Sequence, residues 1–211
     1  MGLDAIFLIV ILIFSVVLHE VAHGVAANAL GDPTARLEGR LTLNPINHLD
    51  PFGSVLLPAL LALSGSPFLF GWAKPVPYNP YNFRKGGRWA EAMVAGAGPA
   101  TNILLAVIFA AFIRVGGAYG IAQDMLQLGF LVVLVNVMLA IFNLIPIPPL
   151  DGSKILDAIL PYPLSHMYRR FRALLEFNIF LGFGIVVVFI LVFGGVFAQF
   201  IIAFAAALAG M

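Results

Sequence analysis

The chain of 211 residues is 62% hydrophobic and only 10% charged, and its formal net charge is +1. Soluble domains carry about 25% charged residues, so this composition argues against a water-soluble globule of any class. The small net charge leaves no basic face for nucleic-acid phosphates, and the absence of cysteine excludes disulfides and thiolate metal ligands.

Four apolar stretches are long enough to cross a membrane as helices, which takes about 20 residues each. In chain order they cover residues 3–30, 89–113, 121–144 and 177–210. The first lacks the basic flank that precedes a cleavable signal, so we expect it to be retained. The last is long enough for two short helices separated near Gly194 and Gly195.

A fifth apolar stretch, residues 52–70, has the length of a crossing but contains Pro58, Gly65 and Pro67. It either crosses the membrane or enters and returns, and non-helical backbone at that depth requires protein or a water-filled cavity around it. The flanking connections are rich in Pro, Gly and Asn, which favour turns and short extended pieces. These features predict an all-α polytopic membrane protein with about five transmembrane helices, a re-entrant segment, and short β-like or loop elements between the first two helices.

The strongest chemical signal is His19-Glu20-Val21-Ala22-His23, an HExxH motif inside the first apolar stretch. Helix positions four apart share a face, so the two imidazoles can bind one metal ion, with Glu20 as a candidate general base. The alternative is a chance match. However, charged groups inside a membrane cost about 2.5–3.5 kcal/mol or more each, and a bound cation offsets that cost. Zinc is the favoured ion because it accepts nitrogen and oxygen ligands.

Two histidines leave one protein ligand to find, and Asp151 is the best candidate. It follows the third clear helix, in a proline-rich segment that stops the helix and stiffens the approach. A carboxylate is a competent third zinc ligand. Taken alone, an Asp-Gly pair is usually a turn, and only the histidines favour the metal-binding interpretation.

Three further polar residues have both a functional and a structural interpretation. Asn143 either orients substrate and binds a developing oxyanion, or forms a hydrogen bond between helices. For Asn102 we expect packing or bracing. His48 is either a fourth ligand or proton shuttle, or a loop residue that bonds its neighbours. We favour the structural role for His48, because two His and one carboxylate already suffice.

These motifs resemble the site-2 protease family of intramembrane metalloproteases (peptidase family M50), and its compact prokaryotic members in particular. The similarity covers residues 19–24, 97–102 and 143–152, with further likeness at 43–51 and 71–77. HExxH alone is moderately specific. Within a membrane span, and followed by the proline-rich Asn-to-Asp-Gly segment, it is highly specific.

The resemblance implies one zinc ion held by His19, His23 and Asp151, with Glu20 as general base. It implies cleavage within or beside a transmembrane helix of a membrane-anchored substrate, such as an anti-sigma factor or a leftover signal peptide. It also implies a multi-pass protein of a prokaryotic plasma membrane, whose partners are the lipid bilayer and the substrate. Many relatives carry a PDZ or CBS domain, and we expect neither here.

The distribution of Lys and Arg favours re-entry of residues 52–70, because cytoplasmic loops carry the excess of these residues. With re-entry and an outside N-terminus, ten lie on the cytoplasmic side and only Arg114 lies outside; with a full crossing the split is eight to three. Re-entry also places Asp151 on the side where the first helix ends. We therefore predict that residues 31–88 form a cytoplasmic layer with a membrane dip.

The length predicts one membrane-embedded protease domain over residues 1–211, with a core at 1–160 and C-terminal helices at 172–211. Two rival functions remain open. A metal transporter would need several polar stations across the bilayer, whereas the ionisable groups here gather at one depth. An inactive relative serving as an adaptor is disfavoured by the intact Glu20 and proposed ligands. The sequence leaves the oligomeric state open.

Overall fold

The computed structural model describes residues 2–56, 60, 63 and 73–211. The α-helices of this part are, in chain order, α1 (Gly2–Leu30), α2 (Thr34–Leu37), α3 (Ala90–Ala118), α4 (Gln123–Asn143), α5 (Asp151–Ile159), α6 (Tyr162–Phe177) and α7 (Ile179–Ala209). Short 3₁₀ turns (Pro45–His48, Pro80–Asn82, Gly87–Trp89) and a π-helical turn (Pro51–Leu56) lie between α1 and α3. Within the described ranges no β-strand forms, so the connecting elements seen there are turns and loops rather than β-like pieces.

Four helices, α1, α3, α4 and α7, are long and apolar enough to cross a membrane, which confirms the all-α polytopic class. The predicted separation near Gly194 and Gly195 is wrong, since both glycines lie inside the continuous 31-residue helix α7. The described residues therefore hold four candidate crossings rather than about five. The physical reason is the solvent: a glycine costs a helix about 1 kcal/mol, whereas unpaired backbone groups in lipid cost several kcal/mol each.

Helix α3 is the centre of the bundle, because it packs against α1, α4, α5 and α7. Its small residues Ala106 and Ala110 are almost fully buried and meet Val133 and Val137 of α4 together with Ala205 of α7. Small side chains let helix backbones approach closely, which is how membrane helices gain packing energy without a hydrophobic driving force between them.

The connection between α1 and α3 returns to the end of the bundle where α1 finishes. The backbone N–H of Arg84 donates to the carbonyl of Leu30 at 2.9 Å. Ala27 and Leu30 also pack on Ala90 at the start of α3. The predicted re-entrant stretch 52–70 lies largely outside the described residues. The described residues on either side of it have the arrangement that re-entry requires, and re-entry itself stays a prediction.

Arg114, the one cation predicted outside, lies at the end of α3. Its guanidinium donates to the carbonyls of Ala207 and Leu208, both at 2.8 Å. It therefore satisfies terminal carbonyls of α7, which have no partner within their own helix. This contact ties the C-terminal ends of α3 and α7 together, at the end of the bundle remote from α5.

The buried carboxylate of Asp32 ties the end of α1 to the segment before α3. It is fully buried and accepts hydrogen bonds from the Asn79 backbone N–H (2.7 Å) and the Asn82 amide (2.8 Å). It also accepts from the hydroxyl of Thr34 at 2.5 Å. Burial alone would raise the pKa of Asp32, but the hydrogen bonds from Asn82, Thr34 and Asn79 outweigh it and lower the pKa.

Residues 73–79 form an irregular segment that runs along α1. The guanidinium of buried Arg40 donates to the carbonyls of Lys74 (2.9 Å) and Pro75 (3.3 Å). The backbone N–H of Lys74 donates to the carbonyl of His48 at 2.9 Å. These contacts, together with Asp32, hold the segment beside the second half of α1, where the Val76 N–H donates to Glu20.

Candidate metal centre

The three predicted metal ligands meet in the structure. Both His19 Nε2 and His23 Nε2 lie 3.2 Å from the Asp151 Oδ2 atom. All three residues are buried, and their donor atoms lie within 4.8 Å of one another. Two donors about 2.0–2.2 Å from one tetrahedral zinc ion lie about 3.4 Å apart. The donor set and its spacing therefore fit a zinc ion.

Helix geometry and two hydrogen bonds orient the imidazoles. Their rings are 4.6 Å apart and nearly perpendicular. The Nδ1 of His19 bonds Asn102 Oδ1 at 2.5 Å, and the Nδ1 of His23 bonds the Val94 carbonyl at 2.7 Å. Since both partners are acceptors, each Nδ1 carries the proton and each Nε2 keeps a free lone pair. That is the arrangement in which histidine binds a metal.

Gly98 gives α3 its close approach to the two histidines. A Cβ at this position would lie 2.5 Å from His19 Nε2 and 2.6 Å from the Cε1 atoms of both His19 and His23. No side chain therefore fits there without displacing the imidazoles. The sequence pattern Gly-Pro gives no indication of this role, because the contact depends on the packing of α3 against α1.

Asp151 begins helix α5 directly after the proline-rich segment. Gly152 lets this helix start pack on the preceding chain, since a Cβ there would lie 2.2 Å from the Leu144 carbonyl oxygen. The Asp-Gly pair is thus a helix start in close contact with the end of α4, and not a simple turn. The Asp151 Oδ2 faces the Nε2 atoms of both histidines at 3.2 Å, and a cation held between these three atoms would satisfy the lone pairs that point at one another.

Glu20 lines a cavity of about 150 Å³ together with the three ligands. Its Oε2 accepts a hydrogen bond from the Val76 backbone N–H at 2.9 Å. The segment 73–79 thereby fixes the carboxylate beside the metal donors. The cavity is large enough for water and opens next to a group that can accept its proton.

Asn143 lies at the end of α4 and lines the same cavity. One N–H of its amide donates to the carbonyl of Leu139 at 3.0 Å, one helical turn back. Among the described residues the second N–H has no partner. It can therefore donate to a ligand in the cavity.

His48 and Asn102 occupy different places. His48 is buried in the Pro45–His48 turn, where its Nε2 bonds the Thr42 carbonyl at 2.9 Å, and it neither joins the donor cluster nor lines the cavity. Asn102 is fully buried and touches the metal site through His19. The structure thus gives it a direct contact with a proposed ligand, beyond the bracing expected from the sequence.

Sequence reasoning missed Tyr78 and Lys154, which also line the cavity. The Lys154 Nζ lies 5.2 Å from the Tyr78 ring centroid, on the face of α5 that carries Asp151 three residues earlier. Burial alone would lower the pKa of Lys154, but Tyr78 and Asp151 raise it, so the ammonium stays charged. The three-residue spacing from Asp151 was the available signal for Lys154. Tyr78 needs the tertiary path of residues 73–79.

A buried His-His-Asp donor set beside a glutamate, within a bundle of apolar helices, defines the class of membrane-embedded metallopeptidases. The model of peptidase family M50 matches residues 7–127 and 114–191. The chain therefore belongs to peptidase family M50, the site-2 protease family. It is a multi-pass membrane protein and a zinc metalloprotease.

Curated relatives agree with this family. The chain is 40% identical over 161 residues to a Bacillus subtilis protein named as zinc metalloprotease YwhC, covering 74% of this chain and 69% of the relative. It is 32% identical over 148 residues to a Mycolicibacterium smegmatis protein named as zinc metalloprotease Rip2, covering 69% of this chain and 54% of the relative. The Rip2 protein of Mycobacterium tuberculosis H37Rv is 33% identical over 145 residues, covering 68% and 53%. The chain thus spans about half the length of the two mycobacterial relatives. No solved structure gives a significant match.

Proposed function

We propose that this protein is an intramembrane protease that hydrolyses peptide bonds within or next to transmembrane segments of membrane-anchored substrates. The observation that carries the proposal is the position of the site. The His19 and His23 donors project from a helix long and apolar enough to span the bilayer, and they meet Asp151 in a buried cavity. A protease site at this depth acts on a chain that itself enters the membrane.

In this proposal His19, His23 and Asp151 hold the zinc. Bound zinc supplies a Lewis acid that lowers the pKa of water and polarises the scissile carbonyl. The remaining groups belong to the chain. The Glu20 carboxylate accepts a proton from the hydrolytic water and delivers it to the leaving amine nitrogen. Water adds to the carbonyl carbon, the C–N bond breaks, and a carboxylate and an amine result.

Glu20 is oriented for this role by the Val76 N–H, which holds one oxygen of the carboxylate at 2.9 Å and leaves the other for the water. The free N–H of Asn143 lies in the same cavity and donates to the substrate carbonyl oxygen, where negative charge develops. Lys154 adds a positive charge to the cavity wall, which favours the same developing charge.

A substrate helix must unwind locally, because its carbonyls are tied in hydrogen bonds. Residues 73–79 lie beside Glu20 and have no regular structure of their own. They support a role in holding the unwound segment by backbone pairing. We also propose that the enzyme lies in a prokaryotic plasma membrane, with residues 31–88 on the cytoplasmic side. Its process in this proposal is regulated intramembrane proteolysis.

The test uses the purified protein in proteoliposomes with a panel of single-span substrates. Cleavage products are mapped by mass spectrometry, and zinc flux is recorded on the same vesicles. The proposal expects cuts within or beside the membrane segment and no flux above empty vesicles. Zinc flux without cleavage would establish a transporter and overturn the proposal. Cuts confined to soluble loops would overturn the intramembrane site of action.

A further inference from the structure

Two buried polar side chains beyond the metal donors have no role in the proposed chemistry. Asn136 of α4 is fully buried, and Ser15 of α1 is 4% exposed. Neither joins the donor cluster or lines its cavity. Polar groups inside a membrane bundle are costly unless they are paired. The partners of these two residues therefore indicate why the bundle contains them.

Hydrogen bonding determines which way each amide points. The Nδ2 of Asn136 donates to the Val132 carbonyl (2.9 Å) and the Ser15 hydroxyl (3.0 Å). A backbone carbonyl only accepts, so the NH₂ of Asn136 faces Val132 and its Oδ1 faces Asn102. The Asn136 Oδ1 accepts from Asn102 Nδ2 at 2.9 Å. The NH₂ group of Asn102 also contacts the Ser15 carbonyl at 3.4 Å.

With its NH₂ group committed to Asn136 and Ser15, the Asn102 amide presents its oxygen to His19 Nδ1. An acceptor there favours the tautomer with the proton on Nδ1 and a free lone pair on Nε2. A reversed amide would donate to Nδ1 and favour the proton on Nε2, which cannot bind metal. His23 needs no such control, because its partner is the Val94 carbonyl, which cannot reverse.

We propose that Asn136, with Ser15, is a positioning residue of the metal centre. It orients the Asn102 amide so that His19 is held in its metal-binding tautomer. This inference rests on the proposed role of His19 as a zinc ligand. It predicts that Asn136, which lies on a different helix from the His19 Nε2 donor, contributes measurably to the affinity for zinc. Substitution of such outer partners typically costs 10–100-fold in metal affinity.

The test measures the zinc dissociation constant of detergent-solubilised full-length protein by competition with a chelator. Asn136→Leu preserves size and removes both the acceptor and the donors. It should weaken zinc binding about 10–100-fold. Ser15→Ala, a smaller change that keeps the Ser15 carbonyl, should weaken it by a few-fold. Val133→Ala, one turn or less from Asn136 on α4, removes packing only and should leave zinc affinity unchanged while lowering the melting temperature.

A double variant separates orientation from packing. In Asn102→Asp both carboxylate oxygens accept, so no amide needs orienting. The effect of Asn136→Leu on zinc affinity should then fall below about threefold. An equal loss in both backgrounds, or wild-type zinc affinity in Asn136→Leu, would overturn the proposal. If Asn136→Leu does not fold, wild-type affinity in Ser15→Ala overturns it. Unchanged zinc binding in His19→Ala would instead refute the ligand assignment under the proposed function.

Discussion

Gly98→Ala is the sharpest test of how closely α3 approaches the metal donors. The added Cβ would lie 2.5 Å from His19 Nε2 and 2.6 Å from both imidazole Cε1 atoms. Carbon atoms without a bond between them prefer about 3.5–4.0 Å, so either α3 or the two rings must move by about 1 Å. The rings cannot swing aside freely, because Asn102 and Val94 hold their Nδ1 atoms.

The magnitude follows from that displacement. Overpacking lowers the free energy of unfolding by about 1–3 kcal/mol, and the better helix propensity of alanine raises it by about 1 kcal/mol. The protein should therefore fold, with a small change in melting temperature. A misplacement of about 1 Å at a reacting centre costs about 100-fold in rate. We expect zinc affinity to fall at least 10-fold and cleavage to fall about 100-fold.

Gly96→Ala is the matched control on the same helix. A Cβ at Gly96 meets no heavy atom within 4 Å. Zinc affinity and cleavage should therefore stay at wild-type level, and stability should rise by up to about 1 kcal/mol. The assay is a chelator competition for zinc, paired with cleavage of one single-span substrate in detergent. Wild-type zinc binding and cleavage in Gly98→Ala would refute the helix approach described here.

Three further predictions concern residues other than Gly98 and Gly96. Asp151→Ala should retain the fold and lose stoichiometric zinc, measured by metal analysis of the purified protein; one zinc per chain in the variant would refute Asp151 as a ligand. The lowered pKa of Asp32 means that its stabilising contribution is complete above about pH 4 and is lost as the pH falls through its folded pKa. Asp32→Asn should therefore lower stability by about 1–3 kcal/mol at neutral pH and flatten the acid limb of the melting-temperature profile; an unchanged profile contradicts this. Because the chain has no cysteine, each of the variants Tyr81→Cys and Tyr119→Cys carries a single thiol, and the two tyrosines are 96% and 84% exposed. We expect the thiol of Tyr81→Cys to be labelled from the cytoplasmic side and that of Tyr119→Cys from the opposite side. Labelling of both thiols from one side would refute the topology.

The HExxH spacing was sufficient to predict that His19 and His23 share a helix face. Asp151 was selected by the two histidines, which leave one ligand to find, together with the proline-rich stop after the third clear helix. The histidine spacing is a local rule along one element, whereas the choice of Asp151 combined two separate segments. The membrane class followed from a local rule too, the length of the apolar stretches.

Other features depend on packing between helices that are remote in sequence. The contact of Gly98 with the imidazoles and the Asn136–Asn102–His19 chain join α1, α3 and α4, so no local pattern indicates them. The predicted break at Gly194 and Gly195 failed for a different reason. Glycine is a helix breaker in water, but in lipid an interrupted helix leaves backbone groups unpaired, and α7 therefore continues through both glycines.

The central claim is that Glu20 moves the proton in a zinc-dependent hydrolysis while His19, His23 and Asp151 hold the metal. Glu20→Gln removes the base and keeps the size and the hydrogen-bond acceptor for Val76. Zinc content and cleavage of a single-span substrate should be measured on the same purified sample. The account predicts about one zinc per chain and loss of at least 100-fold in cleavage rate, the range of a removed general base. Full cleavage by Glu20→Gln would contradict it.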